Sequence, residues 1–133
     1  MEVYQAHSGF QLQTQAIIMT PLFIAHRVNT RAELAGVPTE YGIEIDIRDS
    51  GSRLILQHDP FKDGEELEDL LKEYRHSLII FNVKSERIEP RIQELIAKYH
   101  IERYFFLDSS FPMIYNLSAA GERNIAIRFS EFE

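Results

Sequence analysis

Short apolar runs alternate with amphipathic segments along most of this 133-residue chain, and this alternation constrains its fold most strongly. The apolar runs have the length and composition of buried strands: 22–26, 43–47, 78–84, 103–109 and 124–130. Between the runs, apolar periodicity and turn residues predict helices within 31–40 and at 64–76, 86–100 and 111–121. Alternating strands and helices are typical of parallel strands joined by right-handed crossovers, so we expect an α/β fold.

The second strand is predicted to return as a hairpin. In the run 43–47 the isoleucines occupy one face, and Glu44 and Asp46 occupy the other. The turn-forming residues 49–52 separate this run from another strand, predicted at 53–59. A parallel crossover needs about a dozen residues or more, so these two strands should pair antiparallel.

Five parallel strands are too few to close a (β/α)8 barrel, which typically has about 250 residues. The sequence also stops directly after the last predicted strand. Two explanations remain open: an open five-stranded α/β sheet, or the N-terminal partial barrel of a TIM-barrel type domain, which we favour. In the second case a missing C-terminal half, or another copy of the chain in a homo-oligomer, would cover the open edge.

The composition excludes several classes of function. The net charge is −7, from 21 acidic and 14 basic residues, and no basic cluster indicates a nucleic-acid partner. The chain has no cysteine, so any metal ion would need oxygen or imidazole ligands. We divide the chain into a poorly ordered leader, 1–20, and one domain, 21–133. Neither a signal peptide nor a membrane span is recognisable, so we expect a cytoplasmic protein.

Ionisable or amide side chains end nearly every predicted strand. In parallel α/β folds the carboxyl ends of the strands build the active site, so we expect these residues to converge. They are His26, Arg27, Glu44, Asp46, His58, Asn82, Lys84 and Asp108.

The residue types suggest chemistry on a phosphate ester. Glu44 and Asp46 would repel each other unless a cation lay between them, and their oxygens suit Mg²⁺ or Ca²⁺. Arg27 offers a bidentate fork for phosphate oxygens. Two histidines could exchange protons near neutral pH, and Lys84 could offset developing negative charge.

Four short motifs then resemble a known family. The sequences AHR at 25–27, EID at 44–46, HDPF at 58–61 and NVK at 82–84 resemble successive motifs of the glycerophosphodiester phosphodiesterases. That family has a TIM-barrel fold with a short hairpin after its second strand. The resemblance implies that His26 and His58 are the acid–base pair and that Glu44 and Asp46 bind the metal. It also implies that Arg27 holds phosphate, with Lys84 in the same pocket.

The sequence departs from the family pattern at two places. Val28 replaces the glycine of the usual His-Arg-Gly, and the Pro-Glu-Asn-Thr stretch that normally follows is absent. Asn82 stands where the family has its third metal-binding carboxylate, and it could coordinate through its carbonyl oxygen. The segments 26–29 and 81–84 also resemble the sphingomyelinase D branch, which has an aspartate at the position of Asn82.

The expected function is therefore hydrolysis of a small phosphodiester, such as a glycerophospho-alcohol or a sugar-phosphate diester. Two alternatives stay open: a non-catalytic module that binds a phosphate ligand or serves assembly, and a fragment without activity of its own. Structural roles also compete for single residues. Glu44 and Asp46 could form the solvated face of an edge strand, His26 could be a core histidine, and Lys84 could reach solvent. Asp108 is predicted to cap the helix that follows it.

Overall fold

The computed structural model describes residues 20–129. Apart from Thr20, the predicted leader lies outside these residues. The elements in chain order are β1 (Ile24–Ala25), α1 (Arg31–Ala35), β2 (Gly42–Ser50), β3 (Arg53–Leu56), β4 (Glu65–Glu66), α2 (Leu67–Glu73), β5 (Leu78–Val83), α3 (Glu89–Lys98), β6 (Tyr104–Leu107), α4 (Phe111–Ala119) and β7 (Ile125–Ala126).

The strands form one mixed sheet of seven strands, most of them parallel. Their order is β4-β3-β2-β5-β6-β7, and β1 pairs with β2. The pairs β1–β2, β2–β5, β5–β6 and β6–β7 are parallel, whereas β2–β3 and β3–β4 are antiparallel. The predicted α/β class and the predicted hairpin are confirmed. Within residues 20–129 the sheet is open, because β1 pairs only with β2 and β7 only with β6.

The core lies on one face of this sheet. Ile43, Ile45 and Ile47 of β2 are fully buried, and they belong to the same apolar cluster as Ile79 and Phe81 of β5. Buried residues of α1, α2 and α3 complete the cluster: Leu34, Leu67, Leu70, Leu71, Ile92 and Ile96. Since strand side chains alternate between faces, Glu44 and Asp46 lie on the face opposite this core.

Gly42 allows β2 to lie close to both parallel neighbours. A Cβ atom at this position would come within 3.2 Å of a side-chain carbon of Ile24 and of the backbone oxygen of Leu78. The amide of Gly42 also donates to the backbone oxygen of Phe23 at 2.8 Å. A larger residue would therefore push β1 or β5 away from the strand that carries both acids.

The segment before α2 differs from the prediction. Helical periodicity predicted a helix at 64–76, but the helix spans only Leu67–Glu73, and Glu65–Glu66 pairs with β3 as a strand. The chain approaches β3 closely here: a Cβ atom at Gly64 would lie 2.2 Å from the backbone oxygen of Leu56. The chain therefore needs glycine where it approaches β3, and the pairing of Glu65–Glu66 with β3 keeps the backbone extended until the helix begins at Leu67.

The two terminal strands of the parallel set are short. β1 and β7 have two residues each, compared with the longer runs predicted at 22–26 and 124–130. Among residues 20–129 each of them pairs with one strand only, so few ladder hydrogen bonds extend them. Among the described residues, no helix is both long and apolar enough to cross a membrane.

Shortening Phe81 tests which face carries the core. Phe81 is fully buried, and its ring centroid lies 5.9 Å from that of Phe106. We expect Phe81→Ala to lower the free energy of unfolding in urea by about 3–5 kcal/mol, because it leaves a cavity. Phe61→Ala is the control: this side chain is fully exposed, and its loss should cost less than about 0.5 kcal/mol. Equal effects of the two changes would contradict this assignment of the core.

Candidate functional site

The site lies at the carboxyl ends of the parallel strands, where three backbone hydrogen bonds join the following loops to β2. The amide of Val28 donates to the oxygen of Glu44 at 2.8 Å. The amide of Gln57 donates to the oxygen of Asp46 at 3.0 Å, and that of Lys84 to the oxygen of Ile47 at 2.9 Å. The loops after β1, β3 and β5 are thereby held around the two acids of β2.

His26 and Glu44 form the first contact within this site. The Nε2 atom of His26 lies 3.2 Å from Oε1 of Glu44, which also accepts a 3.3 Å hydrogen bond from Nδ2 of Asn82. The imidazole is largely exposed, whereas only 12% of the Glu44 side chain is accessible. The predicted neighbours His26, Glu44 and Asn82 are therefore brought together, with the imidazole on the open side.

Asn29 holds the second acid. Its Nδ2 donates to Oδ2 of Asp46 at 2.9 Å, and its Oδ1 accepts from the backbone amide of Asp46 at 2.8 Å. A capping box at the start of α1 fixes this arrangement. The amides of Asn29 and Thr30 donate to one carboxylate oxygen of Glu33, and the hydroxyl of Thr30 accepts from the amide of Glu33. The helix start thus places a side-chain amide against a fully buried carboxylate.

A row of alternating charges leads from Asp46 to the protein surface. The Nζ atom of Lys84 lies 3.9 Å from Oδ1 of Asp46 and 3.4 Å from Oδ2 of Asp108. Arg128 contacts both carboxylate oxygens of Asp108, with Nε at 3.1 Å and Nη2 at 2.9 Å. The ammonium of Lys84 therefore lies between two carboxylates.

The predicted helix cap at Asp108 is wrong. Ser110 occupies the N-cap position of α4, and Asp108 adopts a left-handed backbone conformation with φ of 60°. This conformation is uncommon for a residue other than glycine. Its carboxylate instead pairs with Lys84 and Arg128, a residue to which the sequence assigned no role.

His58 contacts its sequence neighbour rather than the acids of β2. Its Nδ1 atom lies 3.0 Å from Oδ1 of Asp59, and Lys62 donates to the other oxygen of that carboxylate at 2.7 Å. These two partners, His58 first, lower the pKa of Asp59 from 3.8 to about 2. This contact engages Nδ1 of the imidazole and leaves Nε2 free of Asp59. Asp59 therefore helps to orient the imidazole of His58.

Arg27 lies to one side of the acids. It follows β1 in a left-handed conformation, with φ of 56°. Its side chain lines a cavity of about 480 Å³ that is also bounded by Thr30, Gln57, Asp63 and Glu65. The structure records no contact between its guanidinium and Glu44 or Asp46, so the predicted neighbours are not joined directly.

Two buried oxygen atoms of this site, one from Asp46 and one from Asn82, could bind a divalent cation. Oδ1 of Asp46 and Oδ1 of Asn82 are buried, and neither has a hydrogen-bond partner among residues 20–129. Asp46 and Asn82 are register partners on adjacent parallel strands, so both oxygens belong to one small region. Across the described residues, no group of three or more His, Cys, Asp and Glu side chains could hold a metal ion. The available donors are two carboxylates and one amide, a set with low negative charge.

Two contributors to the site were missed from the sequence: Asn29 and Arg48. Arg48 lies on the same face of β2 as Glu44 and Asp46, two residues further on, and this spacing is visible in the sequence. Asn29 precedes a recognisable Thr-x-x-Glu capping signal, which fixes its backbone but does not indicate its partner. No family model, no curated protein and no solved structure matches this chain.

Asn29→Ala tests the support of the buried acid. The change removes both hydrogen bonds to Asp46, so a buried carboxylate oxygen and a backbone amide lose their partners. We expect the free energy of unfolding in urea to fall by about 1–3 kcal/mol. Asn116→Ala, on the exposed side of α4, should change it by less than about 0.5 kcal/mol. A small effect at both positions would argue against this role of Asn29.

Proposed function

We propose that this chain carries part of the active site of a metal-dependent phosphodiester hydrolase of the glycerophosphodiester phosphodiesterase type. One observation carries the proposal: Asp46 and Asn82, neighbours in register, each bury an oxygen that lacks a hydrogen-bond partner among the described residues. Burying an unsatisfied polar atom is costly, and a bound ion that accepts the oxygen as a ligand would offset this cost. The order of the four motifs along the chain supports the same proposal.

Glu44, Asp46 and Asn82 would hold the cation, Mg²⁺ or Ca²⁺. Such ions accept carboxylate and amide oxygens and complete their coordination with water and substrate phosphate. When bound, the cation would withdraw charge from the phosphoryl group and so favour attack at phosphorus. Because Asn82 is uncharged, the protein would supply less negative charge to the cation than a site with three carboxylates. The substrate phosphate would then neutralise more of the cation's positive charge.

The two histidines would transfer the protons. An unprotonated Nε2 of His58, oriented through Nδ1 by Asp59, could accept a proton from the attacking water or hydroxyl group. His26, beside Glu44, could donate a proton to the leaving alcohol oxygen as the phosphorus–oxygen bond breaks. The opposite roles, with His26 as the base and His58 as the acid, satisfy the same proton balance. Each imidazole has one nitrogen that does not contact its neighbouring carboxylate.

Lys84 is the better placed of the two proposed phosphate ligands. Its ammonium lies among the acids, with 19% of the side chain accessible, and a bound phosphoryl group would find it within the same region. Arg27 lies in the adjacent cavity and has no ion-pair partner among the described residues, so its guanidinium could contact a more distant part of the substrate.

The open sheet supports the proposal that the domain is the first part of a barrel. Apolar side chains are exposed at both ends of the sheet: Leu22, Phe23 and Ile24 at β1, and Ile127 and Phe129 beyond β7. Exposed apolar patches mark surfaces that contact other protein. Further chain or a second copy could supply the strands that complete the barrel and the rest of the substrate pocket.

One observation favours a second candidate, a phosphate-binding module without catalysis. Lys84 lies 3.9 Å from the oxygen of Asp46 that a metal would use, and its ammonium partly neutralises this acid without any metal. Such a site would bind a phosphate ester in the presence of EDTA and release no alcohol from it.

Hydrolysis of glycerophosphocholine in the presence of Mg²⁺ or Ca²⁺ tests the primary proposal. We expect His26→Ala to lower kcat by about 10²- to 10⁴-fold, because general acid–base transfer is lost. The far-ultraviolet circular dichroism spectrum should not change, since His26 is exposed. His100→Ala, an exposed histidine away from these strand ends, is the matched control. Absence of hydrolysis by the wild-type chain with either metal, or undiminished turnover by the His26 variant, would refute the proposal.

Asn82→Asp tests the metal site without an activity assay. The added carboxylate would lie beside Asp46 and should tighten Ca²⁺ binding, measured by isothermal titration calorimetry, by about tenfold or more. The same variant should be less stable than the wild type in EDTA, because three acids would then repel one another. Asn116→Asp makes the same charge change on exposed α4 and should leave Ca²⁺ affinity unchanged. Equal affinities for all three proteins would argue against metal binding at Asn82.

A further inference from the structure

Arg48 is the third polar residue on the face of β2 that carries the site. It follows Glu44 and Asp46 at the same two-residue spacing, near the carboxyl end of the strand. Its side chain is half-buried, and no carboxylate forms an ion pair with it among residues 20–129. A guanidinium in such a place needs other acceptors.

Those acceptors are two backbone oxygens on different loops. Nε and Nη2 donate to the oxygen of His58, at 3.2 Å and 2.6 Å. Nη1 donates to the oxygen of Lys84 at 3.2 Å. One planar group therefore joins the chain after β3 to the chain after β5, at the two residues that the proposed function uses on those loops.

We propose that Arg48 is a positioning residue, which holds the His58 and Lys84 backbones in a fixed relation to the acids of β2. This inference rests on the proposed function. We call the three hydrogen bonds from Arg48 to the two loops the Arg48 clamp.

The clamp completes a restraint that backbone hydrogen bonds begin. The amide of Lys84 is held by Ile47, and its carbonyl by Arg48, so both sides of this residue are fixed. In the other loop the amide of Gln57 is held by Asp46, and the carbonyl of His58 by Arg48. The direction in which each side chain leaves the backbone is thereby set on both loops.

The chemistry of arginine explains why this residue occupies the position. Its N–H donors lie in one plane and point in different directions, so they reach two carbonyls at once. Lysine carries its donors on a single nitrogen at the end of a flexible stem and would serve one loop at a time. The β2–β3 and β2–β5 ladders do not use this side chain, so its loss should leave the sheet intact.

Arg48→Met and Arg48→Lys test the clamp, with Arg91→Met as the control. Arg91 also donates to a backbone oxygen, that of Ser52, but its contact lies outside the site. A misplacement of about 1 Å at reacting groups can cost about 10²-fold in rate. We therefore expect Arg48→Met to lower kcat by about ten- to hundredfold with little change in KM. Arg48→Lys should be intermediate, and Arg91→Met should match the wild type.

Hydrogen exchange gives a readout that does not depend on turnover. In Arg48→Met the segments 57–63 and 84–88 should exchange faster, whereas β2 and β5 keep their protection. A merely structural role would instead lower protection throughout the sheet and shift the melting temperature.

The outcomes separate the two proposals. Unchanged exchange in both segments would overturn the clamp, whatever the activity. An active wild type with unchanged kcat in Arg48→Met would overturn the positioning role. A wild type that hydrolyses no diester would overturn the proposed function and the catalytic meaning of the clamp with it, while exchange would still decide whether Arg48 holds the two loops.

Discussion

The pairing of β2 with three other strands is the constraint on which the rest of the structure depends. Its first residues pair with β1, its last residues with β3, and most of its length with β5. Its three isoleucines are fully buried, so a shift of one residue would place Glu44 and Asp46 in the apolar core. The cost of burying two unpaired acids excludes that register. The observed register in turn sets Asp46 beside Asn82 and defines the site.

Electrostatics links the two proposed ligands of this site. Asp46 is fully buried, and burial of an isolated charge is unfavourable, so its carboxylate depends on Asn29 and Lys84. An anion that bound Lys84 would weaken the ammonium's interaction with Asp46 and leave that oxygen more available to a cation. Conversely, a cation bound to Asp46 would replace the ammonium of Lys84 as the partner of this carboxylate, and the ammonium could then bind a phosphate group. Under the proposed function, metal and phosphate would therefore bind with positive coupling.

Local patterns predicted the parts of the fold that local physics controls. The alternation at 43–47 was enough to predict which residues lie on each face of β2. The short turn was enough to predict the hairpin. The pattern failed at Glu65–Glu66, where pairing with β3 overrides helical periodicity. It failed again at Asp108, whose partners lie 20 and 24 residues away in sequence. The Arg48 clamp shows both outcomes. The two-residue spacing predicts that Arg48 lies on the same face of β2 as Glu44 and Asp46, whereas its hydrogen-bond acceptors depend on the tertiary fold.

Within residues 20–129 the helices cover the two faces of the sheet unequally. Parallel sheets are normally covered on both faces, yet α1, α2 and α3 contribute their buried residues to one face only. The opposite face carries the acids of β2. On this face Ile80 is the register partner of Glu44, and Phe105 is the register partner of Ile80. Apolar and polar side chains from neighbouring strands therefore share this face, and in a barrel interior the side chains of several strands likewise pack against one another. Under the proposed function, further strands would pack against this face and leave the acids where a small phosphodiester could reach them.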